Sequence, residues 1–486
     1  MASIARAWPP ALSALLLSLA FPPVGISEFA LLALIPWFFS LSQEGTRGAR
    51  SGWVFGVLFM GFRFIFMISF VERWTGSLAL ALIPWVLCIA LSAPWFALFG
   101  GLAARAFRDG KPWLVPLLWA GIEVARSYFP VLAFPFALLA NPLSTAPHLI
   151  GLARFGTVFL VSAWVCLPAV AVAATVRARN HGPAMRYGGA FVVLLLVGLL
   201  WPRPGQRPPI RVAIGQIGVD QAYTAKDVLR TKLMAATQRA AKRAKADQAD
   251  ILFLPEGITT SLGTPSGPPP WGDGIEIAAV YGAQRQDNQA HQSALAYDRG
   301  KYSYADKVRL VIFGEFVPLR DQLKFLQSFN LPSGDLAPGE KLGQLSVGNL
   351  TVGPLLCFEG QFPDLAIRQA QAGSNLVSIL SIDDWYQGSF VMTELYQVAA
   401  FRAVESGTPV IRVGSLGISG AFAATGEELI RLTPGEDETR LIEVRPGDGR
   451  TAFVGIFVFP AFALLSVPVW IIYGKIRRSS SSSSTS

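Results

Sequence analysis

Long apolar runs alternate with short polar segments over the first two hundred residues of the chain. A helix needs about twenty mainly apolar residues to cross the hydrocarbon core of a bilayer, so each run is a candidate membrane span. The first two runs are joined by Phe21-Pro22-Pro23 and are short enough to form a hairpin that does not fully span. The pattern predicts eight spans, at residues 10–25, 27–42, 53–71, 79–104, 113–129, 155–176, 187–202 and 452–473.

Residues 128–149 interrupt this pattern with four prolines and predict a non-spanning connection near an interface. Glu123 and Arg126 lie just before it, within or beside an apolar run. Such charges either bind a lipid headgroup or form a structural pair, and the sequence leaves both readings open.

The pattern changes after the proline-rich linker 202–209, where apolar and polar residues alternate over shorter distances. Buried strands are predicted at 210–217, 249–254, 350–356 and 375–382, and helices at 224–246, 362–372 and 390–406. Because strands and helices alternate, we expect an α/β domain whose sheet is covered on both faces.

These patterns predict the organisation of the whole chain. We expect an N-terminal membrane bundle of about seven spans at residues 1–203, a catalytic domain at 210–450 and a C-terminal membrane helix at 452–474. The basic, serine-rich tail 475–486 cannot bury apolar surface, and its serine run from Ser479 is predicted to be disordered.

Composition and charge support a membrane protein. Of 486 residues, 52% are hydrophobic, and up to residue 200 thirteen basic side chains face only five acidic ones. Acids and bases nearly balance in the polar domain, so the net charge of +9 favours phospholipid headgroups over nucleic acid. Basic residues recur in alternate loops, which by the positive-inside rule places both termini in the cytoplasm and the polar domain outside it.

Three cysteines occur, and two of them, Cys88 and Cys166, lie in apolar runs, where cysteine usually acts as a small hydrophobic residue. Cys357 alone belongs to the polar domain, which excludes a zinc pattern or a disulfide framework there. It follows a predicted strand and precedes a predicted helix. We expect the helix N-terminus to favour a thiolate at this position, although an inert buried cysteine is the commoner case.

Two further motifs favour a functional Cys357 over an inert one. Glu256 follows a buried strand in Leu252-Phe253-Leu254-Pro255-Glu256-Gly257, and Lys307 precedes a second glutamate, Glu315, by eight residues. Each alone is more often a solvated surface charge. Together with Cys357 they match the Glu, Lys and Cys order of the nitrilase superfamily, in which a carboxylate base serves a thiol nucleophile.

Nearly the whole chain resembles the apolipoprotein N-acyltransferase family, as a somewhat divergent member. The resemblance implies a multi-pass bundle joined to a nitrilase-like αββα sandwich. The segments that carry it include 19–23, 52–56, 123–126, 149–159, 255–256, 307–318, 357–363, 385–386, 402–405 and 417–419.

The resemblance also assigns roles to residues. It implies that Glu256 is the general base, Lys307 stabilises the oxyanion and Cys357 is the nucleophile. Glu315 and Glu359 match two supporting acidic positions, and Trp385 and Tyr386 match aromatic residues that shape the substrate site. No metal and no cofactor are implied.

The implied reaction is a ping-pong acyl transfer. A phospholipid donates its acyl chain to Cys357 as a thioester, and the amine of diacylglyceryl-cysteine in an apolipoprotein accepts it. The expected location is the bacterial inner membrane, with the catalytic domain in the periplasm and the chain working as a monomer.

Three positions depart from the family pattern and bear on the acceptor site. Ile382 and Ser415 stand where asparagines are expected, and Tyr223 replaces a tryptophan. Two alternatives therefore remain: a membrane-tethered nitrilase-type amidase that uses water, or an acyltransferase for a different amine. A non-catalytic relative is a third, against which the intact Glu, Lys and Cys set argues.

Histidine tests a rival Cys-His mechanism, because only His148, His181 and His291 occur. The first two lie outside the polar domain. The setting of His291 between polar residues predicts a solvated loop, so Cys-His proteolysis is not expected.

Overall fold

Two units make up the chain, and each is described by itself. One unit is Met1–Trp201 with Gly455–Ser486, and the other is Pro202–Val454. The structure, a computed structural model, describes residues 8–43, 45–130, 132–202, 204–272, 274–318, 320, 322, 335–448 and 455–482, with the backbone alone for 475 and 477–482.

The first unit is helical over most of the described part of its predicted apolar runs. Its helices are α1 Trp8–Ala20, α2 Phe29–Leu32, α3 Ile35–Ser42, α4 Gly48–Arg63, α5 Phe66–Thr75, α6 Leu78–Arg108, α7 Leu114–Ser127, α8 Ala153–Ala178, α9 Gly182–Leu200 and α13 Val458–Ser482.

The predicted count of eight membrane spans is not confirmed. Among the described residues, α6, α8 and α9 are long and apolar enough to cross a membrane. The pair α4 and α5 makes a fourth span if the two are counted together across their 50° bend. The remaining apolar runs form helices whose apolar stretches are shorter, such as Val458–Gly474 in α13. Helix α1, with 13 residues, extends only about 20 Å against a hydrocarbon core of about 30 Å.

The connection after α7 contains two short 3₁₀ helices, Asn141–Thr145 and Pro147–Leu149, and is held by the two charged residues before it. Glu123 accepts the backbone N–H of Leu139 at 2.7 Å, and Arg126 donates to the carbonyl of Phe136 at 2.8 Å. Both side chains are buried. The pair thus serves backbone groups that no helix satisfies, which favours the structural reading over headgroup binding.

Glycines allow α4 and α6 to pack backbone to backbone. A Cβ on Gly52 would lie 2.0 Å from the carbonyl oxygen of Phe96, and a Cβ on Gly48 would lie 2.2 Å from that of Gly100. Small residues permit such close approach of helices in membranes, where packing replaces the hydrophobic effect. The contact between α4 and α6 therefore requires glycine, which has no side chain, at positions 48 and 52.

The tail differs from its prediction. Helix α13 continues to Ser482, so the first four serines of the run are helical rather than disordered. Residues 483–486 lie outside the described ranges.

The second unit contains two β-sheets. Its strands are β1 Ile210–Ile217, β2 Ile251–Phe253, β3 Thr259–Leu262, β4 Ala279–Gln286, β5 Ala290–Asp298, β6 Lys301–Asp306, β7 Leu345–Val347, β8 Leu350–Leu356, β9 Leu376–Ser381, β10 Val410–Gly414, β11 Gly420–Phe422, β12 Glu428–Arg431 and β13 Asp437–Val444. Its helices are α10 Lys226–Ala246, α11 Pro363–Gln371 and α12 Val391–Ser406.

One sheet has the order β13-β1-β2-β4-β5-β6 with β3 beside β4, and the other has the order β12-β11-β10-β9-β8-β7. Aliphatic residues of both sheets, among them Val212, Ile251, Val352 and Ile411, form one buried core between them. Helix α10 packs on the first sheet, and α11 and α12 pack on the second. The pattern predicts one sheet covered on both faces, whereas the structure has two sheets packed against each other with helices on their outer faces. This is the αββα arrangement.

The close packing of α4 and α6 leads to a first prediction. Gly52→Ala should destabilise the bundle by about 1–3 kcal/mol, because the added Cβ meets backbone that cannot move aside without separating the helices. A lowered melting temperature of the detergent-solubilised protein would be the readout. Gly189→Ala is the control: nothing lies within 4 Å of its Cβ position on α9, so helix propensity should leave the melting temperature unchanged or raised. Equal melting temperatures for the two variants would contradict the packing described.

Candidate active site

Strand ends bring the candidate residues together. Glu256 follows β2, Lys307 follows β6, and Cys357 follows β8. In β8 and β9, which run parallel, Leu356 pairs with Leu380, so the residues after both strands leave the sheet at the same edge. The charges of Glu256 and Lys307 both act on the Cys357 thiol, which places all three side chains in one site.

Cys357 occupies a sharp turn between β8 and a 3₁₀ helix, Cys357–Gln361. Its φ angle is 49°, in the left-handed region that non-glycine residues rarely adopt. Strained turns of this kind occur at functional sites, where they project a nucleophile from a strand end. The 3₁₀ helix separates Cys357 from α11, which begins at Pro363, within one residue of its predicted start. The expected stabilisation of a thiolate is not found, because burial raises the pKa of this thiol.

Lys307 is buried between two carboxylates. Its Nζ donates to Oε1 of Glu315 at 2.7 Å and lies 3.7 Å from Oε1 of Glu256. Only 1% of Lys307 and 3% of Glu256 is exposed. The second oxygen of Glu315 accepts the N–H of Val311 at 2.8 Å, and that of Glu256 accepts the N–H of Ile382 at 3.2 Å. The ammonium group is thus hydrogen-bonded to one carboxylate and lies near a second, and each carboxylate is oriented by its own backbone N–H group.

Burial and charge shift the pKa values in this cluster. Burial, only partly offset by Lys307, raises the pKa of Glu256 to about 7. For Lys307, burial lowers the pKa, but the charges of Glu256 and Glu315 outweigh it and raise the pKa overall. Burial and the charge of Glu256 raise the pKa of the Cys357 thiol to about 12. The site thus holds an ammonium group that keeps its charge, a neutral thiol and a carboxyl group that titrates near neutrality.

Glu359 connects the turn at Cys357 with the segment after Lys307. Its Oε2 accepts the N–H of Leu356 at 2.9 Å, and its Oε1 accepts those of Val308 and Arg309 at 2.8 and 3.0 Å. The carboxyl group is buried, which raises its pKa. Glu359 therefore joins the backbone of the turn at Cys357 to the backbone of the segment after Lys307.

Trp385 and Tyr386 lie in a short 3₁₀ helix, Asp384–Tyr386, that follows β9. Burial and then the charge of Cys357 raise the pKa of the Tyr386 phenol, which places this ring near the thiol. The ring of Trp385 meets that of Tyr223 edge to face, with centroids 6.5 Å apart. The substitute for the expected tryptophan thus contacts a predicted site residue.

The other departures from the family pattern also have structural roles. Ile382 supplies its backbone N–H to Glu256, and the hydroxyl of Ser415 donates to the carbonyl of Val219 at 2.6 Å. Neither role needs the amide side chain that the pattern predicts.

Sequence reasoning missed a group of polar residues behind the site. Asp383 forms a buried ion pair with Arg412 at 2.7 Å, and the hydroxyl of Ser381 donates to Asp383 at 2.5 Å. Gln221 and Asp384, which are bonded to each other, belong to the same region. Two successive aspartates directly after a buried strand were the available signal.

The predicted setting of His291 is wrong. The residue lies in β5 rather than in a solvated loop, because the polar residues around it pair across the sheet. Its Nδ1 lies 2.9 Å from the carbonyl oxygen of Ala337, and its Nε2 lies 3.4 Å from the carboxylate of Asp287. Within the described ranges, no three His, Cys, Asp or Glu side chains are grouped to hold a metal ion.

Two family models match the sequence. The apolipoprotein N-acyltransferase N-terminal domain matches residues 13–171, and the carbon-nitrogen hydrolase domain matches residues 211–452. The second match, with the two packed sheets, confirms the nitrilase-like fold expected for the polar domain.

Relatives match over almost the full length. An apolipoprotein N-acyltransferase from Geobacter metallireducens is 29% identical over 483 residues, which cover 91% of this chain and 90% of the relative. One from Azotobacter vinelandii is 29% identical over 492 residues, covering 94% and 93%. A solved structure of Nit3 from Saccharomyces cerevisiae, a member of the nitrilase superfamily, matches 49% of this chain and 90% of its own at 17% identity, with a TM-score of 0.38. On the two domain matches and these relatives, the chain belongs to the apolipoprotein N-acyltransferase family.

Proposed function

We propose that this protein transfers a fatty acyl chain from a phospholipid to the N-terminal amine of diacylglyceryl-cysteine in apolipoproteins. The observation that carries the proposal is the buried Lys307 with its two carboxylates beside Cys357 on a strained turn. Family membership supports an acyltransferase acting on lipoproteins, and the long apolar helices support residence in a membrane.

The first half of the reaction forms a thioester. Glu256 takes the proton of the Cys357 thiol as the sulfur attacks the ester carbonyl of the phospholipid. Lys307 stabilises the oxyanion of the tetrahedral intermediate. The C–O bond then breaks, and the proton passes from Glu256 to the departing oxygen of the lysophospholipid.

The second half transfers the acyl chain. The acceptor amine attacks the thioester carbonyl, Glu256 removes its proton, and the C–S bond breaks. The sulfur of Cys357 takes back a proton, which restores the resting thiol. A thiol whose pKa is raised to about 12 needs a base in the first step, and a Glu256 whose pKa is about 7 suits both proton transfers.

The other site residues support these steps in the proposal. Glu315 keeps Lys307 charged and in place, and Glu359 holds the turn of Cys357 against the segment of Lys307. Trp385 and Tyr386 line the substrate site. The protein works as a monomer in the bacterial inner membrane, with both termini in the cytoplasm and the catalytic domain in the periplasm.

Cys357→Ser tests the nucleophile. The wild-type protein, incubated with phospholipid, should acquire a fatty acyl mass on the peptide that contains Cys357, sensitive to hydroxylamine as a thioester is. The variant should acquire none, because a serine hydroxyl is a far weaker nucleophile at this site. Cys166→Ser, in the helical unit, serves as the control and should acylate like wild type. Acylation of Cys357→Ser at the wild-type level would refute the assignment.

The pH dependence of thioester formation tests the base. Only ionised Glu256 can accept the thiol proton, so the rate should be low below pH 7, rise through a midpoint near 7 and level off above it. Single-turnover measurements between pH 5 and 9 would give the profile. Glu256→Gln should be slow at every pH and lack this limb. An unchanged midpoint in that variant would assign the limb to another group.

A diacylated lipopeptide separates acyl transfer from hydrolysis. We expect an N-acylated lipopeptide in stoichiometric balance with the lysophospholipid released, because the thioester reacts with the amine. An otherwise identical lipopeptide with an acetylated N-terminus should give no product. Release of free fatty acid without the N-acyl product would favour the membrane-tethered amidase or hydrolase, and transfer only to a simpler amine would indicate a different acceptor.

A further inference from the structure

Gln221, in the loop after β1, is bonded to two parts of the candidate site. Its side-chain amide donates to the backbone carbonyl of Glu256 at 2.9 Å. Its backbone N–H donates to Oδ2 of Asp384 at 2.7 Å. One residue therefore joins the segment of Glu256 to the segment that follows β9.

Asp384 is the centre of this bridge. It is fully buried, and besides Gln221 its carboxylate accepts the N–H of Leu416, in the loop after β10, at 2.9 Å. Three chain segments, after β1, β9 and β10, thus meet at one carboxylate. Burying a carboxylate against uncharged amides costs free energy that an apolar side chain would not, so stability alone does not account for its presence.

Both ends of Glu256 contact groups on the segments that Asp384 joins. At the backbone end, Gln221 contacts the carbonyl oxygen. At the carboxylate end, the N–H of Ile382, two residues before Asp384, donates to Oε2. A Cβ on the next residue, Gly257, would lie 2.9 Å from Oε1 of Gln221 and 2.8 Å from Cδ1 of Ile382. Glu256 is therefore enclosed between the two segments that Asp384 joins.

We propose that Gln221 and Asp384 are positioning residues that fix the Glu256 carboxylate for proton transfer with Cys357. This inference rests on the proposed role of Glu256 as the general base. Proton transfer needs donor and acceptor at hydrogen-bonding distance, and a displacement of about 1 Å lowers a rate by up to about a hundredfold. The bridge acts on the base and has no part in binding the phospholipid.

Gln221→Met removes the donor while keeping a similar length and volume. In the full-length protein, the rate of thioester formation at saturating phospholipid should fall about tenfold, whereas the phospholipid concentration at half-maximal rate should not change. The rate constant of the acylation burst is the readout, because a partly unfolded preparation would lower the amplitude of the burst and not its rate constant. The matched control is Gln216→Met on β1, whose amide donates to the carbonyls of Thr433 and Glu436 rather than to Glu256, and it should keep the wild-type rate.

A double-mutant cycle tests whether the two residues act as one bridge. Asp384→Asn should also lower the rate, because an amide nitrogen cannot accept one of the two N–H groups. If both substitutions break the same bridge, the double variant should be no slower than the slower single variant. Rate losses that multiply would show that Gln221 and Asp384 act separately and would overturn the proposal.

Alkylation of Cys357 by iodoacetamide, followed by peptide mass spectrometry at pH 7.5, separates this inference from the proposed function. It needs no acyl donor but does need Glu256 to take the thiol proton. Slower alkylation in Gln221→Met than in Gln216→Met supports the positioning role even if the wild-type protein forms no thioester. Equal alkylation rates in the two variants overturn the inference, whether or not acyl transfer occurs.

Discussion

Burial of the Lys307 ammonium between Glu256 and Glu315 is the constraint from which the chemistry of the site follows. An isolated buried ammonium is strongly disfavoured, so the residue requires a carboxylate in contact, and Glu315 provides it at 2.7 Å. The second carboxylate, 3.7 Å away on Glu256, leaves the cluster with more negative than positive charge. Burial of that excess raises the pKa of Glu256 to about 7. The two carboxylates thus keep the lysine charged, and burial of Glu256, only partly offset by Lys307, gives a carboxyl group that titrates near neutrality.

This cluster is held mainly by backbone groups at the ends of strands. Glu359 and Glu256 accept N–H groups from segments that are distant in the sequence, and Glu315 accepts one from its own loop. A carboxylate bonded in this way keeps one orientation, because moving it would leave a buried N–H without a partner. The same loops set the position of Cys357, whose left-handed backbone angle needs support from its surroundings. Precision at the site comes from these loops, and the two sheets supply the rigid base on which the loops end.

Much of the fold could be predicted from the sequence, and so could the three residues that the structure brings together in the candidate site. Strands β1 and β8 have the predicted limits, because continuous apolar runs bounded by polar residues mark buried strands well. Glu256, Lys307 and Cys357 were identified by their order and by the strands before them. The number of spans was not, since hydropathy does not register where a helix begins and ends, and several apolar runs form helices too short to cross a membrane, such as the 13 residues of α1. His291 was misplaced because its polar neighbours pair across a sheet, a long-range feature that local composition does not reveal.

The contacts that orient Glu256 could not be predicted from the sequence either, because they join segments far apart in the chain. These contacts explain how this chain tolerates its departures from the family pattern. At Ile382 the contact to Glu256 comes from the backbone, which any residue except proline supplies, so loss of the expected asparagine leaves the base in place. At Ser415 a hydroxyl reaches the carbonyl of Val219 and ties the loop after β10 to the loop after β1. Both departures leave Cys357, Glu256 and Lys307 in place. The third departure, Tyr223, changes a side chain at the aromatic edge that it forms with Trp385. Under the proposed function, a difference in the acceptor amine would therefore be accommodated at this edge, while thioester formation at Cys357 is retained.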